Sequence, residues 1–181
     1  MSGYPRRAFL TGAMTALVAM PLKPAWAALS KAGARSLALQ NIHTGEHLAV
    51  DYWVDGDYQP DALAAVNHVL RDFRTGDTHV IEPRLLDLLA SMRARLETTA
   101  PFQVISGYRS PATNALLRSE HEHSGVASKS LHMQGMAIDI RLEGRALEAV
   151  HRVALADQAG GVGYYPQSDF VHVDVGRVRR W

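Results

Sequence analysis

The sequence predicts an α+β protein, an antiparallel sheet flanked by helices. Apolar residues recur at helical spacing in the first half of the chain, after Pro60 and after Pro83. Residues 136–142 and 170–175 instead alternate between apolar and polar side chains, which indicates strands with one buried face. Helices therefore come early and strands pair late, an order that favours α+β.

A hairpin is predicted at the start of the fold. Ser36–Ile42 and His47–Trp53 both alternate in polarity, and Thr44 and Gly45 between them form a turn signal. No internal repeat or low-complexity segment follows, so the chain is expected to form one domain after its N-terminal segment.

The remaining elements are predicted from apolar spacing and from the prolines and glycines at their ends. The expected helices run from Pro60 to a stop at Gly76, from Pro83 through Leu96, from Ser110 as N-cap to about Ser119, and over Leu147–Ala159 before Gly160 and Gly161. Phe102–Ser106 is expected to be a short buried strand, and Val162–Tyr165 another. Residues 120–129 are polar and are expected to form a loop.

Composition excludes some classes of function. The chain has 181 residues, enough for one domain with a substantial core, and a formal net charge of +1. Residues 1–27 contribute three basic residues and no acidic one, and without them the 18 acidic residues outnumber the basic ones. A basic face for nucleic acid therefore has little support. The absence of cysteine excludes disulfides, thiolate zinc ligands and cysteine nucleophiles.

Residues 1–27 are predicted to be an export signal rather than part of the fold. Arg6 and Arg7 precede an uncharged run, and Ala25–Ala27 has small residues at the spacing of a cleavage site. The paired arginines are typical of a twin-arginine signal, and an ordinary export signal is the alternative. The uncharged run is shorter than the ~20 residues of a membrane span. The mature domain is expected to cover 28–181 without a stable membrane anchor.

Two candidate metal ligands lie close together between residues 130 and 142. His132 and Asp139 are separated by six residues, and Gly135 permits a turn between them. Asp139 then projects from the strand face opposite the apolar residues, and His172 does the same in the later strand. If the two strands pair, both side chains emerge from one face of the sheet.

Together with His132, these residues offer two imidazoles and a carboxylate. That is the ligand set of many catalytic zinc sites, in which a fourth position is left for water. Hydrogen-bonded structural histidines are the alternative interpretation.

Three segments together resemble a known family. They are Ser106–Pro111, then Ser130-x-His132 with Asp139, and then Asp169-x-x-His172 with Asp174. In this order and spacing they resemble the zinc peptidases of bacterial cell walls, which include D-Ala-D-Ala carboxypeptidases and murein endopeptidases and share their fold with hedgehog signalling domains. The nearest resemblance is to the exported murein endopeptidase K type, over about residues 36–181.

The resemblance implies that His132, Asp139 and His172 bind one Zn²⁺ per chain. It implies that Arg109 contacts substrate near the metal, although Arg109 paired with a surface acid is the alternative. Asp169, three residues before the last ligand, matches an acidic catalytic residue of related enzymes and is expected to be the general base.

Other residues depart from the family pattern or carry rival roles. Some relatives have a histidine where this chain has Phe170. Asp174 is a rival for the base, although an orienting role behind the last ligand is preferred. Glu120–His123 could bind metal, but a solvated tract is preferred. Tyr164 and Tyr165 either border the cleft or pack in the core.

The function that the resemblance implies is a zinc metallopeptidase, a murein endopeptidase that hydrolyses peptide cross-links of peptidoglycan with a metal-activated water. The expected partners are peptidoglycan stem peptides and the export machinery, the expected location is the periplasm, and no nucleic acid is expected. The alternatives are a D,D- or L,D-carboxypeptidase that trims stem peptides, and a metal- or wall-binding module without hydrolysis. The choice between D-alanyl–diaminopimelate and diaminopimelate–diaminopimelate links stays open at this point.

Overall fold

The computed structural model describes residues 33–119 and 126–181, which contain eight strands, four α-helices and one 3-10 turn. The strands are β1 (Ala34–Asn41), β2 (His47–Val54), β3 (Asp57–Tyr58), β4 (Phe102–Ser106), β5 (Ala137–Leu142), β6 (Gly161–Tyr165), β7 (Phe170–Asp174) and β8 (Arg179–Arg180). The helices are α1 (Pro60–Val69), α2 (Pro83–Arg95), α3 (Pro111–Ser119) and α4 (Leu147–Asp157), and the 3-10 turn is Leu131–Gln134.

All of these strands form one sheet in the order β3-β2-β1-β4-β5-β7-β6-β8, and the predicted α+β class is confirmed. Most neighbours pair antiparallel, but β1 with β4 and β6 with β8 run parallel, so the sheet is mixed. The antiparallel strand β2 returns the chain to the end from which β1 started, and the connection through α1 and α2 then enters β4 parallel to β1.

The N-terminal hairpin is confirmed, since β1 and β2 pair antiparallel. The sequence did not predict β3 and β8. Each has two residues, which is too short to carry a periodic signal.

The first helix is shorter than the sequence predicts, because α1 ends at Val69 and turns follow it up to Gly76. The Asp72 carboxylate organises these turns. It accepts hydrogen bonds from the backbone N–H of Arg74 (3.0 Å) and of Ser110 (2.8 Å). Leu70 is fully buried although it lies outside the helix. The apolar spacing beyond Val69 therefore reflects burial rather than helix.

The last helix is also shorter than predicted. It ends at Asp157, because Gln158 takes a left-handed conformation with φ of +49° and closes it. Gly160 and Gly161, which the sequence marked as the stop, come later, and Gly161 already belongs to β6.

One face of the sheet packs against α2 and α4 and forms the core. Leu85, Leu86, Leu89 and Met92 of α2 are fully buried there, as their spacing predicted. The core also contains Ile138 and Ile140 of β5 and Val171 and Val173 of β7. Residues that alternate with these on β5 and β7 consequently face away from the helices.

None of the described helices is long and apolar enough to cross a membrane. The predicted export signal at 1–27 and the Glu120–His123 tract lie outside the described residues.

Asp72→Ala is expected to lower the free energy of unfolding by about 2 kcal/mol, because two backbone N–H groups lose their acceptor. Burial alone would raise the pKa of Asp72, but hydrogen bonds from Thr113, Ser110 and Arg74 hold the pKa below its ordinary value. The stabilisation is therefore present above the unfolded carboxyl pKa of about 3.9 and is lost as the pH falls through the folded value. Urea unfolding of both proteins near neutral pH and in acid measures the difference.

Asp77→Ala is the matched control. Asp77 belongs to the same loop, is exposed, and accepts a hydrogen bond from the Thr75 hydroxyl (2.8 Å). Its loss is expected to change the free energy of unfolding by less than about 0.5 kcal/mol. Equal losses in the two variants would contradict the role assigned to Asp72.

Candidate metal centre

Strands β5 and β7 place Asp139 and His172 side by side. The strands pair antiparallel with Asp139 directly opposite His172, so both side chains leave the same face of the sheet. This face is opposite the one that packs against α2 and α4. Both side chains are nevertheless largely buried, with 8% and 11% of their surfaces exposed.

The 3-10 turn brings His132 to the same point. Ser130 begins the turn by accepting a hydrogen bond from the His132 N–H (3.4 Å), and Gly135 ends it with φ of +65°. A side chain at position 135 would also collide with the backbone of Val80. Glycine is therefore required there by conformation and by space.

The three predicted ligands converge closely. His132 Nε2 lies 3.2 Å from His172 Nδ1 and 3.3 Å from Asp139 Oδ1, and His172 Nδ1 lies 2.8 Å from the same carboxylate oxygen. One ligand atom from each residue lies within 4.8 Å of the others. Within residues 33–119 and 126–181, this is the one group of three or more potential metal donors that meets this distance.

The outer nitrogen of each imidazole is already engaged. His132 Nδ1 lies 2.8 Å from the Gly107 carbonyl oxygen, and His172 Nε2 lies 3.2 Å from Asp174 Oδ2. Since both partners are acceptors, these outer nitrogens would carry the protons and donate when a cation occupies the space between the inner nitrogens and Asp139. The lone pairs of His132 Nε2 and His172 Nδ1 are then directed towards Asp139, where a metal ion would accept them.

The electrostatics of the group favour a positive charge among the three side chains. Burial alone would raise the pKa of Asp139, but the imidazoles of His132 and His172 hold it well below its usual range. Burial alone would lower the pKa of His172, but hydrogen bonds to Asp139 and Asp174 raise it. The carboxylate is thus ionised, and a proton or a cation is needed to balance it.

Asp174 lies in the interior of the protein, next to the outer nitrogen of His172. It is fully buried and accepts hydrogen bonds from the backbone N–H of Gly161 and of Gly176, both at 2.9 Å. Arg179 binds its other oxygen at 2.6 Å. Burial would raise the pKa of Asp174, but these donors and His172 hold it below its usual range. Asp174 can orient the imidazole, but it has no exposed surface for substrate.

Arg109 lies beside the group on the side of Asp139. Its guanidinium is 3.6 Å from the second oxygen of Asp139 and 3.3 Å from the Ser106 hydroxyl, with 12% of the side chain exposed. Its Nε is buried without a hydrogen-bond partner among the described residues. Burial lowers the pKa of Arg109 from its ordinary value, against the attraction of Asp139. A guanidinium remains charged after such a shift.

A cavity of about 340 Å³ opens onto these residues. Arg109, His132, Asp139 and His172 line its floor. The lining also includes Val126, Ala127, residues 129–131 and Arg179, and an aromatic wall that consists of Tyr165, Phe170 and Trp181. A second cavity, of about 300 Å³, lies between α2 and α4 and contains none of the three donors.

The structure does not bring Asp169 to this cavity. Its carboxylate binds Arg141 at 2.9 Å, 62% of its side chain is exposed, and it lines a neighbouring depression. Arg141 follows Asp139 by two residues on β5. Asp169 therefore lies on the same face of the sheet, one side-chain repeat of roughly 7 Å further along the strand.

The two tyrosines that the sequence left undecided have different positions. Tyr165 lines the cavity, whereas Tyr164 binds Glu148 (2.8 Å) and stacks on His151 of α4. Sequence reasoning also missed Lys129 and Trp181 in the cavity lining. No motif marked either residue. Only the alternation of β6, in which Gly163 and Tyr165 share the face of His172, pointed to this wall.

Comparison with known proteins identifies the family of the chain. A family model described as "Peptidoglycan L,D-endopeptidase MepK" matches residues 29–181. Relatives of that name from Escherichia coli K12 and Shigella flexneri are 45% identical over 158 residues, which is 87% of this chain and 86% of each relative. A "Probable peptidoglycan L,D-endopeptidase MepK" from Haemophilus influenzae is 40% identical over 148 residues, 81% of this chain and 78% of the relative. With these matches across nearly all of its described length, the chain belongs to the peptidoglycan L,D-endopeptidase MepK family.

Proposed function

We propose that this chain is a zinc-dependent endopeptidase that hydrolyses peptide cross-links of peptidoglycan. The observation that carries the proposal is the convergence of His132 Nε2, Asp139 Oδ1 and His172 Nδ1 on one point at the floor of an open cavity. Membership of the MepK family supports the peptidoglycan substrate and the endopeptidase reaction.

The donor set fits zinc. Two neutral imidazole nitrogens and one carboxylate oxygen are ligands that Zn²⁺ accepts in catalytic sites, and the set leaves a position open on the cavity side. Both imidazoles are held by hydrogen bonds from their outer nitrogens, to Gly107 and to Asp174, which fixes their orientation before metal binds. We propose one zinc ion per chain at this group.

When bound, zinc would supply a water ligand with a pKa of ~7 and would polarise the carbonyl of the peptide bond. Arg109 supplies a fixed positive charge beside this point. Its guanidinium binds either a free carboxylate of the stem peptide or the negative charge that develops on the carbonyl oxygen. Asp174 and Arg179 act behind His172 and keep its imidazole in the required tautomer.

Asp169 is the proposed general base. Of the two acidic candidates it is the one exposed to solvent, and it shares the face of the sheet with Asp139. It sits in the turn between β6 and β7, directly before the cavity-lining Phe170. To act as the base, the Asp169 carboxylate would have to leave Arg141 and accept a hydrogen bond from the water at the proposed metal centre. Asp174 is too deeply buried to do so.

The name of the relatives supports cleavage of one of the two kinds of cross-link. An L,D bond joins an L centre to a D centre, as in the diaminopimelate–diaminopimelate link, whereas the D-alanyl–diaminopimelate link joins two D centres. We propose that the former is cut. Its D centre carries a free carboxylate next to the scissile nitrogen, and Arg109 and Lys129 are cations of the cavity lining that suit it.

We also propose that residues 1–27 direct export to the periplasm through the twin-arginine pathway and that 28–181 is the mature domain. The start of the family match at residue 29 supports this boundary. A periplasmic location would bring the cavity to its proposed substrate.

The function is tested with a purified muropeptide dimer that contains the diaminopimelate–diaminopimelate link. The protein is expected to cleave it to monomers, a chelator is expected to abolish cleavage, and added zinc to restore it. His172→Ala is expected to lose stoichiometric zinc and cleavage together, because a ligand is removed. Metal analysis and product chromatography measure the two losses.

His151→Ala is the matched control, since His151 stacks on Tyr164 at the opposite face of the sheet. It is expected to keep zinc and activity. Removal of terminal residues from monomeric stem peptides without cleavage of dimers would favour the carboxypeptidase alternative. Binding without chelator-sensitive cleavage would favour the non-catalytic module.

Asp169→Asn is expected to keep zinc and lower kcat by 10²-fold or more, because general-base catalysis typically contributes about 10²–10⁴-fold. Glu143→Gln is the control, as Glu143 is another exposed acid that lines the same depression. Full activity of Asp169→Asn, with an inactive Asp174→Asn, would transfer the role to Asp174 or to a group that it orients. Metal content and steady-state kinetics of the three variants distinguish Asp169 from Asp174 as the base.

Replacement of both Arg6 and Arg7 by lysine is expected to hold the precursor in the cytoplasm. Lysine keeps the charge but lacks the planar guanidinium, and the signal is read as a paired-arginine motif. Cell fractionation of a bacterial host measures the distribution, with Lys23→Arg as the control. Unchanged export of the lysine pair would favour an ordinary export signal.

A further inference from the structure

Trp181 of the aromatic wall directly follows the last strand of the sheet. β8 runs parallel to β6, and the backbone of Trp181 bonds to β6 through its N–H to Val162 (3.2 Å) and its carbonyl to the N–H of Tyr164 (3.1 Å). This pairing brings the indole to the metal centre, with its ring centroid 5.2 Å from that of His172. The Arg179 guanidinium lies over the indole, 4.9 Å from its centroid.

Gly163 makes room for this wall. It lies opposite His172 in the β6–β7 register, so a side chain there would stand next to a proposed ligand. A Cβ at this position would approach Trp181 to 2.7 Å and Tyr165 to 2.8 Å, closer than real Cβ contacts. Glycine at position 163 therefore leaves the space beside His172 that the two aromatic rings occupy.

The two rings are joined by a short hydrogen bond. The indole Nε1–H of Trp181 donates to the hydroxyl oxygen of Tyr165 at 2.6 Å. Indole nitrogen is only a donor, so the phenolic proton of Tyr165 must point elsewhere. Within residues 33–119 and 126–181 no acceptor takes that proton. The Tyr165 ring is also stacked on Phe170, with centroids 4.5 Å apart, which limits its movement.

We propose that Tyr165 contacts the substrate: its hydroxyl, oriented by Trp181, donates a hydrogen bond to a carbonyl oxygen of the cross-linking peptide. This inference rests on the proposed function and gives a role in substrate binding to a second residue of the cavity lining, besides Arg109. The peptide then meets the guanidinium of Arg109 and the neutral donor of Tyr165 in one cavity. Such a donor is set before binding and loses little conformational freedom when the peptide arrives. Trp181 is a positioning residue, because it acts through the hydroxyl of Tyr165.

Tyr165→Phe tests the hydroxyl, since it keeps the ring and its stacking. We expect kcat/KM for the diaminopimelate–diaminopimelate-linked muropeptide dimer to fall by about 3- to 10-fold, the value of one neutral hydrogen bond. Calorimetric titration of the metal-free protein with the same dimer is expected to show a dissociation constant raised by a similar factor. Zinc content and melting temperature are expected to stay unchanged.

Tyr164→Phe is the matched control. It removes the neighbouring phenol, which binds Glu148 and lies outside the cavity. Its kinetics and binding are expected to equal those of the wild type. If Tyr164→Phe loses as much as Tyr165→Phe, the effect belongs to the fold and the proposal is overturned.

Trp181→Phe tests the orientation, since it keeps an aromatic ring and removes the Nε1–H. We expect the same loss as for Tyr165→Phe, and we expect the double variant to be no worse than either single one because both act through one hydrogen bond. Independent, multiplying losses would overturn the positioning role.

Failure of this inference differs from failure of the proposed function. Zinc-dependent cleavage by the wild type with an unaffected Tyr165→Phe would overturn the inference alone. If the wild type binds the dimer without cleaving it, and Tyr165→Phe weakens that binding, the inference is supported and the endopeptidase proposal is overturned. A wild type that neither binds nor cleaves the dimer would overturn both.

Discussion

The register between β5 and β7 is the constraint on which the site depends. Asp139 lies directly opposite His172, and a slip of one residue would send both side chains into the core among Ile138 and Val173. The core holds that register, because the alternate residues of both strands are fully buried against α2 and α4. The apolar face of the sheet thus fixes the geometry of the polar face.

Charge is the second constraint, and it explains the residues around the three candidate ligands. A buried carboxylate next to two imidazoles requires each imidazole to have a defined tautomer. Gly107 and Asp174 provide this by accepting from the outer nitrogens. Asp174 is a second buried carboxylate, and two backbone N–H groups and Arg179 satisfy it. The polar network is therefore continuous from the cavity floor to β8.

Much of the site could be predicted because it follows from the period of two in the strands. Alternation placed Asp139 and His172 on one face, and Gly135 marked the turn that returns His132 to them. The ends of α1 and α4 could not be predicted from spacing, since Asp72 and Gln158 decide them through local hydrogen bonding and conformation. Asp169 lies near the ligands in the sequence, but its pairing with Arg141 depends on the tertiary fold. Trp181 reaches the cavity through two residues of parallel pairing, for which the sequence carries no signal.

The candidate ligands and the aromatic wall are only partly separate in the sheet. Asp139 and His172 stand on β5 and β7 together with Phe170 of the wall, whereas Tyr165 belongs to β6 and Trp181 directly follows the two-residue edge strand β8. Arg179 on β8 binds Asp174 behind His172, which ties that residue to the candidate centre. Natural selection can consequently vary positions 165 and 181 to diversify substrate preference, with little disturbance to the donors on β5 and β7.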